Sequence, residues 1–246
     1  MEVYWLDQTK TDVPIEDDWF SPGEMLCLSK LRFPKRRADW RMGRWTAKRA
    51  LAAYLCMPAR ASILAKLEIR AAASGAPEAL VSGKPANFTI SISHRADRAV
   101  CAIGPLDLRL GCDLELVEPH GGAFVTDYFT AEEQTLVARA SAAERNVLLA
   151  ILWSAKESVL KALHEGLRVD TRAVTVDPQL ESYDLKGWRP LRVRHRNGQT
   201  FGGWWCQHNE SILTMVGDQA MAAPMPLDDR RMEQLSSNAV CGGRGL

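Results

Sequence analysis

Three carboxylates and one lysine, from two separate parts of the chain, have the types and spacing of a site for a metal ion and a phosphate group. Asp113 and Glu115 alternate at the end of a predicted strand, so their side chains leave one face roughly 6.5 Å apart along the chain. Glu157 lies in a predicted helix, and Lys161 follows one turn later on the same helical face. Mg²⁺ prefers oxygen ligands and shares its coordination shell with substrate phosphates, whose charge a nearby lysine also neutralises. The pattern predicts Mg²⁺ at the three acids, with Lys161 beside a phosphate.

Each part of this pattern has an ordinary explanation when it stands alone. An Asp-x-Glu at a strand end is most often a solvated edge, and a Glu–Lys pair at this spacing is most often a surface pair on a helix. A metal-dependent nuclease or phosphohydrolase could also use such acids. Nuclease sites of that sort place Glu-x-Lys on the strand, however, and Glu115 is followed by Leu116 and Val117. The combination of strand and helix therefore favours a functional site of another class.

The two segments resemble the signature of the 4'-phosphopantetheinyl transferases, in particular the two-domain branch that activates peptide and polyketide synthases. That signature is a Gly-x-Asp-x-Glu strand, followed roughly forty residues later by a Trp-x-x-Lys-Glu-x-x-x-Lys helix. Here the segments are Gly111 to Glu115 and Trp153 to Lys161. A third block, Ser82-Gly83-Lys84-Pro85 and then Phe88 to His94, is similar to the coenzyme A contacts of the family. The resemblance covers about residues 32 to 167.

The resemblance implies an enzyme that moves the phosphopantetheine arm of coenzyme A to a serine of an acyl or peptidyl carrier protein, releasing 3',5'-ADP. Such enzymes serve secondary metabolite biosynthesis. By the same resemblance, the metal is Mg²⁺, with Mn²⁺ as an alternative, and its ligands are Asp113, Glu115 and Glu157. Glu157 and Lys161 are the implied catalytic residues. A non-catalytic module that binds coenzyme A or a carrier protein remains an alternative.

The resemblance also assigns the residues that contact coenzyme A. Lys161 meets the pyrophosphate, Lys84 and Pro85 border the adenine, and the Ser93–His94 pair contacts the nucleotide, with His94 at the 3'-phosphate. Arg44 and Lys48 are further expected phosphate contacts, although a basic helix is usually just a solvated face. The serine proton is expected to pass to Glu157 or to a metal-bound water.

Composition limits the class of protein without choosing a function. The chain has 246 residues, of which 46% are hydrophobic and 25% charged, with a net charge of +1, so a soluble protein with a substantial core is expected. Positive charge is concentrated between Lys30 and Arg49, but nothing points to nucleic acid or a membrane. The six cysteines form no Cys-x-x-Cys pair, and the N-terminus lacks a signal sequence. We expect a cytoplasmic monomer.

Periodicity predicts an α+β fold. Helices are expected over residues 37–57, 130–140 and 144–164, and a loop-prone run after Pro58. Strands are expected over 3–6, 88–93, 99–103, 109–116, 173–176, 191–195, 203–208 and 212–216, with 94–98 as a connection. An aromatic segment of Phe124, Tyr128 and Phe129 could dock a carrier protein, although core packing is expected for at least one of the three.

A short internal repeat predicts two similar halves. Trp45-Thr-Ala-Lys48 and Trp153-Ser-Ala-Lys156 lie 108 residues apart, and each belongs to a predicted long helix. We expect a pseudo-dimer of two α/β subdomains, each a long helix on a small, mainly antiparallel sheet, with coenzyme A in the cleft between them. The subdomains are placed at residues 1–106, with the adenine and 3'-phosphate contacts, and 107–223, with the metal site. Residues 224–246 are expected to be a flexible tail.

Overall fold

The computed structural model describes residues 1–165, 169–180 and 187–227. These residues form a mixed α+β fold that is built around two long helices. The elements of the first half are β1 (Tyr4–Thr9), α1 (Pro22–Ser29), α2 (Pro34–Tyr54), α3 (Ala61–Leu64), β2 (Leu67–Ala71), β3 (Pro77–Val81), β4 (Lys84–Pro85), β5 (Phe88–Arg95) and β6 (Arg98–Pro105). Those of the second half are β7 (Leu110–Leu116), α4 (Gly122–Tyr128), α5 (Ala131–Arg139), α6 (Ala142–Ala162), β8 (Val174–Asp177), β9 (Arg189–His195), β10 (Thr200–His208), β11 (Ser211–Gly217) and β12 (Met225–Pro226).

Local sequence signals account for where several helices begin. Ser21, Thr130 and Ser141 each accept a hydrogen bond from the backbone N–H three residues later, and a glutamate at that position bonds back to the cap. These capping boxes satisfy N–H groups that the first turn of a helix leaves free. The predicted capping box at Thr130 is confirmed. Pro34 begins α2, where its missing N–H costs nothing.

The strands form three sheets. One has the order β12-β1-β6-β5, the second β7-β11-β10-β9-β8, and the third is a small sheet of β2, β3 and β4. Neighbouring strands are antiparallel except for β1 and β12, which are parallel. The α+β class predicted from periodicity is confirmed.

Three apolar clusters hold these layers together. One packs α2 against one face of the first sheet, through residues such as Leu51, Cys101 and Ile103. A second packs α6 against the β7–β8 sheet. The third joins the opposite faces of the two large sheets, for example through Val100 and Met215. The two halves are therefore fused through their sheets, with one long helix on each outer side.

Each long helix carries a buried lysine at a matching place. The Lys48 ammonium forms an ion pair with Glu24, whose other oxygen accepts the N–H of Ile69 at 3.0 Å. Lys156 pairs with Glu133 at 2.9 Å, and Glu133 accepts the N–H of Val176 at 2.8 Å. Each ion pair thus connects a long helix, a short helix and a strand within one half. These matched contacts support the prediction that the two halves are duplicated units, which stays a prediction.

Three sequence predictions need correction. The run after Pro58 contains α3 and the β2–β4 sheet, because Leu67 and Ile69 are buried while Glu68 between them is not. Residues 94 and 95 continue β5, and a two-residue turn at 96–97 precedes β6. The expected flexible tail does not begin at residue 224, since β12 pairs with β1 and Leu227 is buried. Residues 228–246, the rest of that expected tail, lie outside the described residues.

Candidate active site

The site lies at a seam where β5 of the first half runs beside β7 of the second. The backbone N–H of Cys112 donates to the Ser91 hydroxyl at 2.9 Å, and the Cys112 thiol donates to the Ser91 carbonyl at 3.2 Å. These bonds join two strands that belong to different sheets. Any side chain that leaves β5 or β7 on this side therefore faces residues of both halves.

Gly111 explains how α6 reaches the seam. A Cβ placed on Gly111 would lie 1.8 Å from the carbonyl oxygen of Ser158 and 2.9 Å from the backbone nitrogen of Ala162. Only glycine allows the helix backbone to approach the strand this closely. This approach brings the acids of β7 next to Glu157 and Lys161 of α6.

The centre of the site is a buried cluster of an acid, a lysine and a serine. Lys161 Nζ lies 2.6 Å from Asp113 Oδ1, and the Ser93 hydroxyl donates to the same oxygen at 2.8 Å. Lys161 also donates to the Ser93 hydroxyl at 2.8 Å and to the Cys112 carbonyl at 3.2 Å. Burial works against the charge on Lys161, but Asp113, Cys112 and Glu157 together raise its pKa above the ordinary value. The ammonium is therefore fixed at the seam.

Asp113 is 2% exposed and uses only one of its carboxylate oxygens. The other, Oδ2, is buried and has no hydrogen-bond partner among the described residues. A buried carboxylate oxygen without a partner carries a substantial desolvation cost. A cation bound at this oxygen would remove that cost.

Glu115 and Glu157 lie in the negative field of Asp113. Burial first, and then repulsion by Asp113, raise the pKa of Glu115 to about 7, against the opposing effect of Arg95. Burial and Asp113 likewise raise the pKa of Glu157, while Lys161 and Arg95 lower it. The three acids repel one another, as expected of carboxylates that share one neighbourhood.

The three predicted metal ligands fit a hard divalent cation by chemistry, but they do not yet enclose one. Over residues 1–165, 169–180 and 187–227, no group of three His, Cys, Asp or Glu side chains is arranged to hold a metal ion. Lys161 occupies Asp113 Oδ1, and Arg95 Nε lies 3.2 Å from Glu115 Oε2. The free Oδ2 and the mutual repulsion are what a cation would satisfy, because oxygen-only ligand sets suit Mg²⁺.

Two partners of Glu115 were not predicted from the sequence. Trp153 donates its indole N–H to Glu115 at 3.2 Å, and Arg95 bridges Glu115 and Glu118. Trp153 was part of the motif, so its spacing four residues before Glu157 could have indicated a contact with the acids. Arg95 follows Ser93 and His94 directly, but nothing in its local sequence distinguishes it from other surface arginines.

Two adjoining cavities continue the seam from Lys161 towards β4. The nearer cavity, of about 270 Å³, is lined by Ser91, Leu110, Lys161 and residues 74–77. The next, of about 370 Å³, is lined by Pro85, Phe88 and the same 74–77 turn without Gly75. Ile90 and His164 line both. The structure thus connects the predicted adenine residue Pro85 with the predicted pyrophosphate residue Lys161, and Lys84 is the exposed neighbour of Pro85.

The remaining predicted phosphate contacts differ in their placement. The pKa of His94 is lowered by burial first and also by Lys161 and Lys35, while Asp39 raises it, so His94 lies near the start of α2. Arg44 lies with its guanidinium 4.8 Å from the ring centre of Trp40. The structure does not support a phosphate contact for Lys48. Its side chain is fully buried, paired with Glu24 and bonded to the Trp19 carbonyl at 2.8 Å.

The aromatic segment lies at the opposite end of the seam from the cavities. Phe124 and Tyr128 both contact the ring of Trp153, with ring centres 5.3 and 5.2 Å away. Phe129 is fully buried in the core beneath α6, whereas Tyr128 is 41% exposed. Because Trp153 bonds to Glu115, this aromatic surface adjoins the acids directly.

Acids, a fixed lysine and two adjoining cavities thus meet at the seam between the two sheets. Residues 109–222 match the family model of the 4'-phosphopantetheinyl transferase superfamily. The matched region includes all three acids and Lys161, and the match supports an activity of the phosphopantetheinyl transferase class. A comparison with curated proteins gave no match. Within the described ranges, no helix is long and apolar enough to cross a membrane.

Proposed function

We propose that the protein transfers the phosphopantetheine arm of coenzyme A to a serine of an acyl or peptidyl carrier protein and releases 3',5'-ADP. The observation that carries this proposal is the cluster of Ser93, Asp113 and Lys161, because it joins the two halves at one buried point. Its position between the cavities and the aromatic surface gives a phosphate-binding centre with room for a ligand on the cavity side.

Asp113, Glu115 and Glu157 would hold Mg²⁺, or Mn²⁺, which would neutralise the charge of the diphosphate. The protein itself supplies the second positive charge. Lys161 is held by Asp113 and Ser93, so its ammonium is already oriented before a diphosphate arrives. A charge fixed in advance stabilises a leaving phosphate without a reorganisation cost during the reaction. Glu157, one helical turn before Lys161, is the proposed acceptor of the serine proton.

The nucleotide part of coenzyme A is proposed to occupy the cavities. Lys84 and Pro85 would border the adenine, and the larger cavity between Pro85 and Ile90 has mostly apolar walls that suit a flat base. His94 would contact the 3'-phosphate, with the nearby Lys35 available as a second positive group. Arg44, also on α2, remains a proposed phosphate contact.

The carrier protein is proposed to approach from the aromatic end. Tyr128 and Phe124 present apolar surface beside Trp153, and Trp153 contacts the acids. A carrier helix docked there would place its serine near Glu157, on the side away from the nucleotide cavities. Both halves of the site come from a single chain, so we propose that a monomer is the active form. Its proposed location is the cytoplasm.

The test is to incubate the protein with coenzyme A, Mg²⁺ and a panel of apo-carriers, and to measure the mass of each carrier. The added mass of the arm is the expected result. A phosphohydrolase or a non-catalytic binding module would leave every carrier unmodified, which would refute the proposal. A chelator should abolish the transfer, and added Mg²⁺ should restore it.

Variants assign the roles of individual residues. Asp113→Ala and Glu157→Ala should each abolish transfer while the fold survives, as circular dichroism would show. His94→Ala should mainly raise the Michaelis constant for coenzyme A. Turnover at the wild-type rate in either acid variant would remove the metal-site argument, and an unchanged Michaelis constant would count against His94.

A further inference from the structure

The end of α6 places a histidine where a helix usually ends with glycine. The N–H of His164 donates to the Lys161 carbonyl at 3.0 Å, and the N–H of Glu165 donates to the Leu160 carbonyl at 3.0 Å. This pair of bonds is a Schellman motif, in which the first residue past the helix cap has a left-handed backbone. His164 accordingly has φ of 57°. Glycine adopts this conformation without steric cost, and histidine does not.

The first half contains the same motif at the same place. At the end of α2, the N–H of Cys56 donates to the Ala53 carbonyl at 3.2 Å, and that of Met57 to Ala52 at 2.8 Å. Cys56 has φ of 52° and is exposed. Cys56 lines neither of the two seam cavities. It therefore provides an internal reference for the backbone effect of a non-glycine residue in this motif.

His164 differs from Cys56 in what surrounds it. His164 is exposed like Cys56, but it lines both seam cavities, at the boundary where the wall changes from Lys161 and Ser91 on one side to Pro85 and Phe88 on the other. Lys161 lies one helical turn before it, in the acid–lysine cluster. An imidazole at this boundary can stack on a flat base or donate a hydrogen bond to a phosphate or ribose oxygen.

We propose that His164 is a ligand-contact residue of this site, which binds the nucleotide part of coenzyme A between the adenine cavity and Lys161. This inference rests on the proposed function. It adds a residue from the second half to the adenine and 3'-phosphate contacts, which the sequence resemblance assigned to the first half. On this proposal His164 contributes a side chain to binding, whereas Cys56 has the same backbone conformation without that role.

The experiment compares His164→Gly with Cys56→Gly, which makes the same backbone change away from the seam. Calorimetric titration measures binding of coenzyme A, of 3',5'-ADP and of 4'-phosphopantetheine to each protein, and thermal unfolding measures Tm. Both variants should raise Tm by roughly 2–4 °C, because glycine fits the left-handed position. His164→Gly should raise the dissociation constants of coenzyme A and 3',5'-ADP roughly tenfold. Cys56→Gly should bind all three ligands like the wild type.

Three other results would overturn the proposal in distinguishable ways. If the wild type binds coenzyme A and His164→Gly binds it equally well, the His164 side chain has no role in binding and the residue only ends the helix. If His164→Gly weakens the binding of 4'-phosphopantetheine but not that of 3',5'-ADP, His164 contacts the phosphopantetheine arm and not the nucleotide. If the wild type binds none of the three ligands, the proposed function itself fails, and the role of His164 fails with it.

Discussion

Gly111→Ala tests whether the close approach of α6 to β7 sets the geometry of the site. The added Cβ would lie 1.8 Å from the Ser158 carbonyl oxygen, and real Cβ contacts essentially never fall below 3.0 Å. The helix and strand must therefore separate by about 1.2 Å. Both atoms involved are close to the backbone, so no side-chain rotation can relieve the overlap.

The separation acts on stability and on catalysis by different amounts. Overpacking of this kind usually costs about 1–3 kcal/mol, which most domains survive with ~5–15 kcal/mol of unfolding free energy. The same shift pulls Asp113 away from Lys161, whose contact of 2.6 Å crosses from β7 to α6. A misplacement of about 1 Å can lower a rate by ~100-fold. We expect a folded variant with kcat about 100-fold lower.

The assay measures transfer of the phosphopantetheine arm to an apo-carrier by the increase in the mass of the carrier. Urea unfolding of the same samples measures stability. Gly202→Ala is the matched control, since a Cβ on this strand glycine would meet no other atom within 4 Å, and the variant should keep its activity. Gly203→Ala controls for lost stability, because its Cβ on β10 would overlap the Met215 carbonyl of β11, the strand that lies between β10 and β7. If Gly111→Ala turned over no more slowly than Gly203→Ala at equal stability, the reasoning would be refuted.

Two further predictions concern stability. Glu133→Gln should lower the unfolding free energy by about 3–5 kcal/mol, because it leaves the buried Lys156 ammonium without its carboxylate. Glu132→Gln, which removes only an exposed pair with Arg194, should cost less than about 1 kcal/mol; equal losses in urea unfolding would contradict the buried pair. Burial raises the pKa of Cys101 well above the ordinary thiol value. The unfolded thiol therefore loses its proton first as pH rises, and above about pH 8.5 wild-type stability should fall faster than that of Cys101→Ala, by ~1.4 kcal/mol per pH unit; parallel curves would show that the thiol is not buried.

Elements with strong local signals were predictable from the sequence. The capping box at Thr130 is formed within four residues, so its pattern is visible locally. The strand that contains Asp113 was predictable from its residue types, although it pairs with the distant β11. The β2–β4 sheet was missed because its strands are short, and only Leu67 and Ile69 of β2 are fully buried. Their burial depends on packing against α2, which no local pattern shows.

For the site, the motif predicted which residues to consider, and the structure decided how they are used. Ser93, Asp113 and Lys161 meet although β5 and β7 belong to different sheets. The resemblance gave each of them a separate role and did not imply that they bond to one another. Lys48 looked like a phosphate contact because it lies on a basic helix. Its partner, Glu24, is on another helix, and that ion pair holds it in the core.

By itself, the amino-acid sequence determined the acids, the lysines, the helical and strand periods, and the glycine at 111. The tertiary structure decided which lysine lies at the seam between the sheets and which lysines form ion pairs inside the core of one half. Lys48, Lys156 and Lys161 have the same side chain, and each pairs with an acid of its own half. Only Lys161 also donates to a residue of the other half, Ser93. The role of a charge depends on its burial and its nearest opposite charge, and both are fixed only when distant parts of the chain pack together.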